Sequence, residues 1–249
     1  MPSREKESYT IQSVENALDV LEALGEGPED IRISNLSNRL GLNKTSVFRL
    51  LATFERRGYV EKEGQSGTYR LGLTAYEIGQ KFLQRMELLR KAKPLMERLA
   101  HTCDEAVYLA VPRDDQVLFL DMVDTSQQVK TVPLVGQRFP LKETAAGKAI
   151  LATSPTCSSQ TLVKLTPDES RSIIERGGCI DHGVLGEDIS SVAVPIAAPN
   201  DAHLGALVVV APDFRMDAGR IQSKILPQLI EAGEITSSKL GLVGHLINQ

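Results

Sequence analysis

Asn43-Lys44-Thr45-Ser46-Val47-Phe48-Arg49-Leu50-Leu51-Ala52-Thr53-Phe54-Glu55-Arg56-Arg57 is the stretch that decides how this chain is read. Val47, Leu50, Leu51 and Phe54 recur at i, i+3, i+4 and i+7, which is one apolar stripe of an α-helix. At about 100° per residue the opposite face carries Thr45, Ser46, Arg49, Ala52, Thr53 and Arg56. The plain alternative is a solvated face, but such faces more often carry Glu/Lys pairs. Slim hydroxyl side chains with two arginines suit a DNA major groove, where Arg reads guanine edges or holds phosphate. Asn43 is expected to cap the helix.

Working outward, a short helix is expected to open at Ile33-Ser34, with Ser34 as its cap and Leu36 and Leu40 on one face. Gly41 can end it in the left-handed conformation, so that Gly41-Leu42-Asn43 makes the tight turn of a helix-turn-helix. Further upstream, Val14, Ala17, Leu18 and Leu21 repeat at helical spacing from a Ser13 cap to Gly25, and Gly27-Pro28 marks a turn. Downstream, residues 59–62 and 68–71 are β-prone and flank a Gly/Ser tip, a hairpin placed to form a wing. Alone such a hairpin says nothing of function; behind this helix pair it does.

The charge is −4 over 249 residues, which argues against a nucleic-acid partner until its distribution is read. Residues 1–31 carry eight acidic groups and two basic ones, whereas residues 32–57 carry six basic groups against Glu55 alone. A local basic patch attracts phosphate within a Debye length whatever distant charges do. Residues 1–10 are charged and lack a signal-peptide core, and the longest apolar run, around Val208, Val209 and Val210, is too short to span a bilayer. Cys103, Cys157 and Cys179 lie far apart with no metal-ligand spacing and read as thiols of a reducing compartment. A cytoplasmic protein with no cofactor and no membrane partner is expected.

The remaining chain reads as one long helical region and then alternating elements. Ile78, Phe82, Met86 and Leu89 recur at helical spacing over residues 74–102, and Pro94 is expected to break the pattern and start a second helix. Its apolar stripe suits packing on its own domain or a dimer seam. Strands are expected over residues 106–111 and 116–122 about an Asp114-Asp115 turn, and over 191–197 and 204–210 about Asn200-Asp201. Helices are expected over residues 144–153, 159–165, 167–177 and 217–240. The order suits an antiparallel sheet flanked by helices, an α+β fold.

The stretches 13–21 (SVENALDVL), 41–51 (GLNKTSVFRLL), 58–60 (GYV) and 69–72 (YRLG) together resemble the IclR family of bacterial transcriptional regulators. Members usually have Ser-Thr where this chain has Thr45-Ser46, and His where it has Phe48. Stretches 136–141 (GQRFPL), 144–152 (TAAGKAILA), 191–196 (SVAVPI) and 237–241 (SSKLG) extend the likeness from Thr10 to Gly241. The resemblance implies three regions: a winged helix-turn-helix DNA-binding domain over 1–72, a connecting and dimerisation region over 73–103, and a GAF/PAS-like effector-binding domain over 104–249. The expected partners are double-stranded operator DNA, a small organic acid or aromatic metabolite, and further copies of the chain as a dimer or tetramer.

Expected DNA contacts are Ser34, Asn43, Lys44, Thr45, Ser46, Arg49, Thr53 and Arg56, with Tyr69 and Arg70 on the wing. By resemblance the effector pocket is lined by Thr131, Ala145, Ala146, Asp181, Ser191, Val208 and Val210. Ala145 and Ala146 would leave room and free backbone N–H groups, Ser191 stands where many members have Cys, and the valines stand where some place Ser. Without the resemblance both valines are simple strand core; with it, the pocket is apolar enough for a ring-bearing or longer carboxylate.

Enzyme readings find little support. Gly147-Lys148 lacks the preceding Gly and following Ser/Thr of a phosphate loop, and no GxSxG, HExxH or GxGxxG occurs. His182 beside Asp181 is the histidine of most interest, though an exposed turn is expected there. The rival classes are a bifunctional enzyme–repressor, which turnover of candidate ligands would reveal, and a purely architectural DNA binder, which effector-dependent operator affinity would exclude.

Overall fold

A computed structural model of the chain describes residues 10–26, 31–64, 66–153, 164–197 and 203–241. It divides into two units, one ending at Arg85 and the other beginning at Met86.

The first unit runs α1(Gln12–Glu26), β1(Ile31–Arg32), α2(Ile33–Leu40), α3(Lys44–Arg56), β2(Val60–Lys62), β3(Thr68–Leu71) and α4(Leu73–Arg85). Its core is Val20, Ala23, Leu24, Ile31, Leu36, Val47, Leu51, Val60 and Tyr69. Asn43 caps α3 as expected, its side chain accepting the Ser46 N–H at 2.8 Å, and Gly41 ends α2 at φ 65°. A side chain at that φ would crowd its own carbonyl, which makes glycine the natural residue for this turn. The other two expected caps are corrected. Ser13 lies inside α1, and α2 is capped at Arg32, two residues ahead of Ser34, leaving the Ser34 hydroxyl against Asn35 at 3.4 Å. The cause is β1, which pairs with β3 (Ile31 opposite Tyr69) and fixes where α2 can begin. The wing is thus a three-stranded sheet in the order β1-β3-β2.

The expected break at Pro94 is also corrected. The helical region divides at Met86, which is extended (φ −75°, ψ 104°), and Pro94 lies inside α5(Glu87–Cys103). Pro94 is exposed, so the Arg90 carbonyl that loses its partner can turn to water.

The second unit continues with β4(Ala106–Arg113), β5(Gln116–Val123), β6(Arg138–Pro140), α6(Ala145–Thr153), α7(Pro167–Arg176), β7(Cys179–His182), β8(Ile189–Ala197) and β9(His203–Pro212). It closes with α8(Ala218–Arg220), one π-helical turn over Ile221–Ile225, and α9(Leu226–Lys239). The strands form one antiparallel sheet in the order β6-β5-β4-β9-β8-β7. One face carries Val107, Leu109, Val192, Val194, Leu207 and Val209 against α5 and α9. The other carries Ala106, Tyr108, Phe119, Ala193, Val208 and Val210 against α6. Three layers result, and the expected α+β architecture is present. The helix expected over 159–165 and the turn at Asn200-Asp201 fall wholly or mostly outside the described residues, as does Cys157. Cys103 and Cys179 are buried free thiols, and burial raises both above the usual thiol range.

Candidate functional site

On α3, Val47 and Leu51 point into the core while Leu50 and Phe54 are half-buried, so the stripe holds the helix to its unit. Lys44, Thr45, Arg49, Ala52, Thr53 and Arg56 are exposed on the other side, and Ser46 is half-exposed. Thr53 Oγ1 donates to the Arg49 carbonyl at 2.9 Å, which leaves the hydroxyl only its acceptor capacity for another group. Phe48, placed among these polar groups, is 51 % exposed. Arg49 and Arg56 have no acidic partner among the ion pairs of the described residues. Arg70 on the wing does, reaching Glu61 through Nε at 3.2 Å and Nη2 at 3.0 Å. Tyr69 is corrected: its ring is buried in the core beneath Lys62, because alternation along β3 turns it inward and Arg70 outward. Ser34 is half-buried on α2.

Of the residues expected at the effector site, Ala145, Ala146, Asp181, Ser191, Val208 and Val210 lie near one another in the second unit. Asp181, Ser191, Val210 and Ala106 form one row across β7, β8, β9 and β4, and Cys179, Ala193, Val208 and Tyr108 form the next. These rows face α6, whose first residues are Ala145 and Ala146. Gly147 lets α6 come close to the turn that precedes it: a Cβ there would lie 1.8 Å from the Leu141 carbonyl oxygen.

Asp181 sits at the start of α6. Its Oδ2 accepts the Ala145 N–H and the Ser191 hydroxyl, the latter at 2.8 Å. A carboxylate there complements the helix N-terminus, and it takes the Ala145 N–H that was expected to be free. Its other oxygen, Oδ1, is buried with no hydrogen-bond partner among the described residues. Burial raises the Asp181 pKa, more than the Ala145 and Ser191 donors lower it.

Two further buried oxygens are alike: Tyr108 Oη and Thr131 Oγ1 have no hydrogen-bond partner among the described residues. Tyr108 lies beside Thr131 and the Leu134 backbone, but no hydrogen bond of ordinary geometry closes between them. The segment bearing Thr131 and Leu134 is tied down at both ends. Ser126 donates to Asp104 at 2.9 Å, Arg215 donates to the Val129 carbonyl at 2.8 Å, and Gly136 donates to the Phe119 carbonyl at 2.8 Å. Tyr108 escaped sequence reasoning because it sits in an unbroken apolar run; the usable signal was that a buried phenol normally finds a partner.

His182 lies on β7 and not in a turn, and its ring is exposed. Its Nδ1 is 2.6 Å from Ser190 Oγ, which in turn donates to Asp213. The hydroxyl is central and fully buried, the reverse of the order in which a histidine activates a serine. No cluster of metal-binding side chains occurs among the described residues, and no helix there is long and apolar enough to cross a membrane.

A wing and an arginine-bearing helix in one unit, with a three-layer unit holding unpartnered polar atoms in its core, define a ligand-responsive transcription regulator. Residues 13–64 match the IclR helix-turn-helix domain and residues 80–238 the C-terminal domain of the bacterial transcriptional regulator IclR. The chain belongs to the IclR family of bacterial transcriptional regulators. It is 28 % identical to the HTH-type transcriptional regulator KdgR of Escherichia coli K12 over 95 % of each chain. The IclR-type regulator of Alicyclobacillus acidocaldarius superposes with a TM-score of 0.80 at 24 % identity, over 94 % of this chain and 100 % of that one. An IclR homologue from Microbacterium hydrocarbonoxydans complexed with 4-hydroxybenzoate gives 0.71 at 22 % identity, over 92 % and 98 %. Both structural likenesses concern the fold.

Proposed function

We propose that this regulator is a cytoplasmic repressor without enzymatic activity, binding a two-fold symmetric operator as a dimer and leaving it when a small acid enters the second unit. The observation that carries the DNA-reading part is the α3 surface, where Arg49 and Arg56 stand exposed beside Lys44, Thr45 and Thr53 and without acidic partners among the described residues. Asn43 and Ser46 shape the helix start through their mutual hydrogen bond, Ser34 lies on the preceding helix, and Arg70 reaches phosphate by exchanging Glu61.

Dimerisation is supported by the apolar surface of the first unit. Ile11, Val14 and Leu18 of the α1 region, and Leu73, Tyr76, Ile78 and Phe82 of α4, are all more than 40 % exposed. No α4 residue is buried, so its apolar side chains have no core of their own. A second copy is the fitting occupant, because an operator with two half-sites needs two reading helices. The pocket is the α6 face bounded by Thr131, Ala145, Ala146, Asp181, Ser191, Val208 and Val210, and its mixed lining suits an acid such as the 4-hydroxybenzoate held by the Microbacterium homologue.

The test is sedimentation equilibrium with footprinting on DNA selected from random sequence. A dimer protecting two half-sites about one helical turn or a multiple apart is expected, with Phe82→Asp shifting the chain toward monomer. A wild-type monomer protecting one half-site at full affinity contradicts the proposal.

A further inference from the structure

Two polar atoms on one face of the sheet, Asp181 Oδ1 and Tyr108 Oη, and a third, Thr131 Oγ1, on the segment between β5 and β6, are buried without hydrogen-bond partners among the described residues, an unusual concentration. An unsatisfied buried polar atom is costly, and native structures retain few. Those retained together point to a molecule that satisfies them. Asp181 Oδ1 belongs to a carboxylate whose other oxygen already holds the start of α6. Tyr108 Oη and Thr131 Oγ1 lie next to one another at the far side of the same face, under the anchored segment that carries Leu134.

We propose that Tyr108 and Thr131 form a second polar subsite of the effector pocket, which takes the carboxylate or carbonyl end of the ligand while Asp181 Oδ1 takes a hydroxyl or other donor at its opposite end. The proposal rests on the pocket reading above and assigns the ligand's direction within it.

The chemistry of the two ends fixes that direction. Tyr108 is fully buried, and burial raises its pKa, so the phenol keeps its proton and donates. Thr131 supplies a second hydroxyl donor. Together they suit an acceptor. Asp181 is acceptor-only when ionised, and a ligand carboxylate beside it meets like charge in a poorly solvated site. The α6 N-terminus, the other natural anion site, is already occupied by Asp181 Oδ2. An acid therefore turns its carboxylate toward Tyr108 and its donor toward Asp181.

Length follows from the sheet. Tyr108 is on β4 and Asp181 on β7, with β9 and β8 between them. Three strand spacings amount to roughly 14 Å at the backbone, which the leaning side chains shorten. A two- or three-carbon acid cannot engage both ends. A ring, or a chain of about six carbons, can, and the buried Val208 and Val210 between the ends suit an apolar spacer.

The test uses 6-hydroxyhexanoate, hexanoate and hexan-1-ol as probes, read by calorimetry and by thermal melting of the full chain. The wild type should bind 6-hydroxyhexanoate best. Tyr108→Phe and Thr131→Val should each weaken both acids by about tenfold or more, the loss of one hydrogen bond to a charged group, and leave hexanol unchanged. Asp181→Asn, which keeps an oxygen for Ala145 and Ser191, should weaken only the two probes bearing a hydroxyl. Without any probe, Tyr108→Phe should melt no lower than the wild type, because no hydrogen bond of ordinary geometry to a described residue is lost. Acid affinities unchanged by Tyr108→Phe while Asp181→Asn acts would overturn the subsite and spare the pocket. If neither variant changes any probe, the pocket reading itself fails. A ligand-free Tyr108→Phe that melts several degrees lower, or a wild type that binds neither acid at millimolar concentration, also overturns the proposal.

Discussion

Asp181 and Ser191 face each other across the β7–β8 pair, and the Ser191 hydroxyl donates to Asp181 Oδ2 at 2.8 Å while Oδ1 of the same carboxylate stays buried and unpaired. The group is half satisfied, and burial raises its pKa above the ordinary carboxylate range. A carboxyl with a raised folded-state pKa binds its proton more tightly when folded. Its contribution to stability therefore falls as pH rises from the unfolded value through the raised one. Melting of wild type and Asp181→Asn across that window should show the wild type losing ground to the variant as pH rises. A difference that is flat, or of opposite slope, contradicts the assignment.

Arg49 and Arg56 lie two turns apart on the exposed side of α3, and they are expected to act differently. Arg49→Ala should lose about 1–3 kcal/mol on a selected specific duplex and much less on random DNA, as for a base-edge contact. Arg56→Ala should weaken both alike and lower the salt dependence by about one ion, as for a phosphate contact. Equal losses on both duplexes for Arg49→Ala would remove it as a reader of sequence.

Glu105 is fully buried and holds two arginines at once: Arg215 through Nε and Nη2, both at 2.8 Å, and Arg220 through Nη1 at 2.7 Å. Arg220 also donates to the Cys103 carbonyl and Arg215 to the Val129 carbonyl, so one carboxylate joins the end of α5, the segment over Tyr108 and the approach to α8. Glu105→Ala strands both guanidinium groups. The expected loss is about 3 kcal/mol, the lower end for a broken buried pair, because both arginines still reach water. Urea unfolding measures it, and a loss below 1 kcal/mol is incompatible with this role.

Gly147 owes its identity to the Leu141 backbone, not to phosphate. With a Cβ falling 1.8 Å from the Leu141 carbonyl oxygen, Gly147→Ala must push α6 away from the Leu141 turn that precedes it. A destabilisation of about 3 kcal/mol is expected, together with weakened binding of any pocket ligand. A variant as stable as wild type would show that α6 can shift freely.

The sequence made the reading helix legible almost entirely, since the Asn43 cap, the Gly41 turn and the Val47-Leu51 stripe are local and mutually consistent. Elements set by distant partners were harder. β1, β6 and β7 are two to four residues long and exist because β3, β5 and β8 pair with them. Pro94 misled because an exposed proline is tolerated within a helix, while the extended Met86 carries no comparable signal. Val14 and Leu18 looked like core by periodicity, yet they are exposed; the same stripe serves a core or a partner, and spacing cannot separate the two. At the pocket, Thr131, Asp181 and Ser191 follow from the resemblance, whereas Tyr108 joins the same face only through the register of β4 with β9 and of β9 with β8.

A ligand on the α6 face is expected to alter the hold of the α3 surface on DNA. Fluorescence anisotropy on a selected duplex, with and without a compound that melting assigns to this pocket, tests it most directly. Useful coupling is about 1–3 kcal/mol, so a change of about five- to 150-fold in DNA affinity is expected for wild type. Ala146→Phe, or the milder Ala146→Val if the larger residue unfolds the chain, should lose that response in proportion to its loss of ligand. DNA affinity that stays constant at saturating concentrations of every compound the pocket binds would show that the pocket does not control the α3 surface.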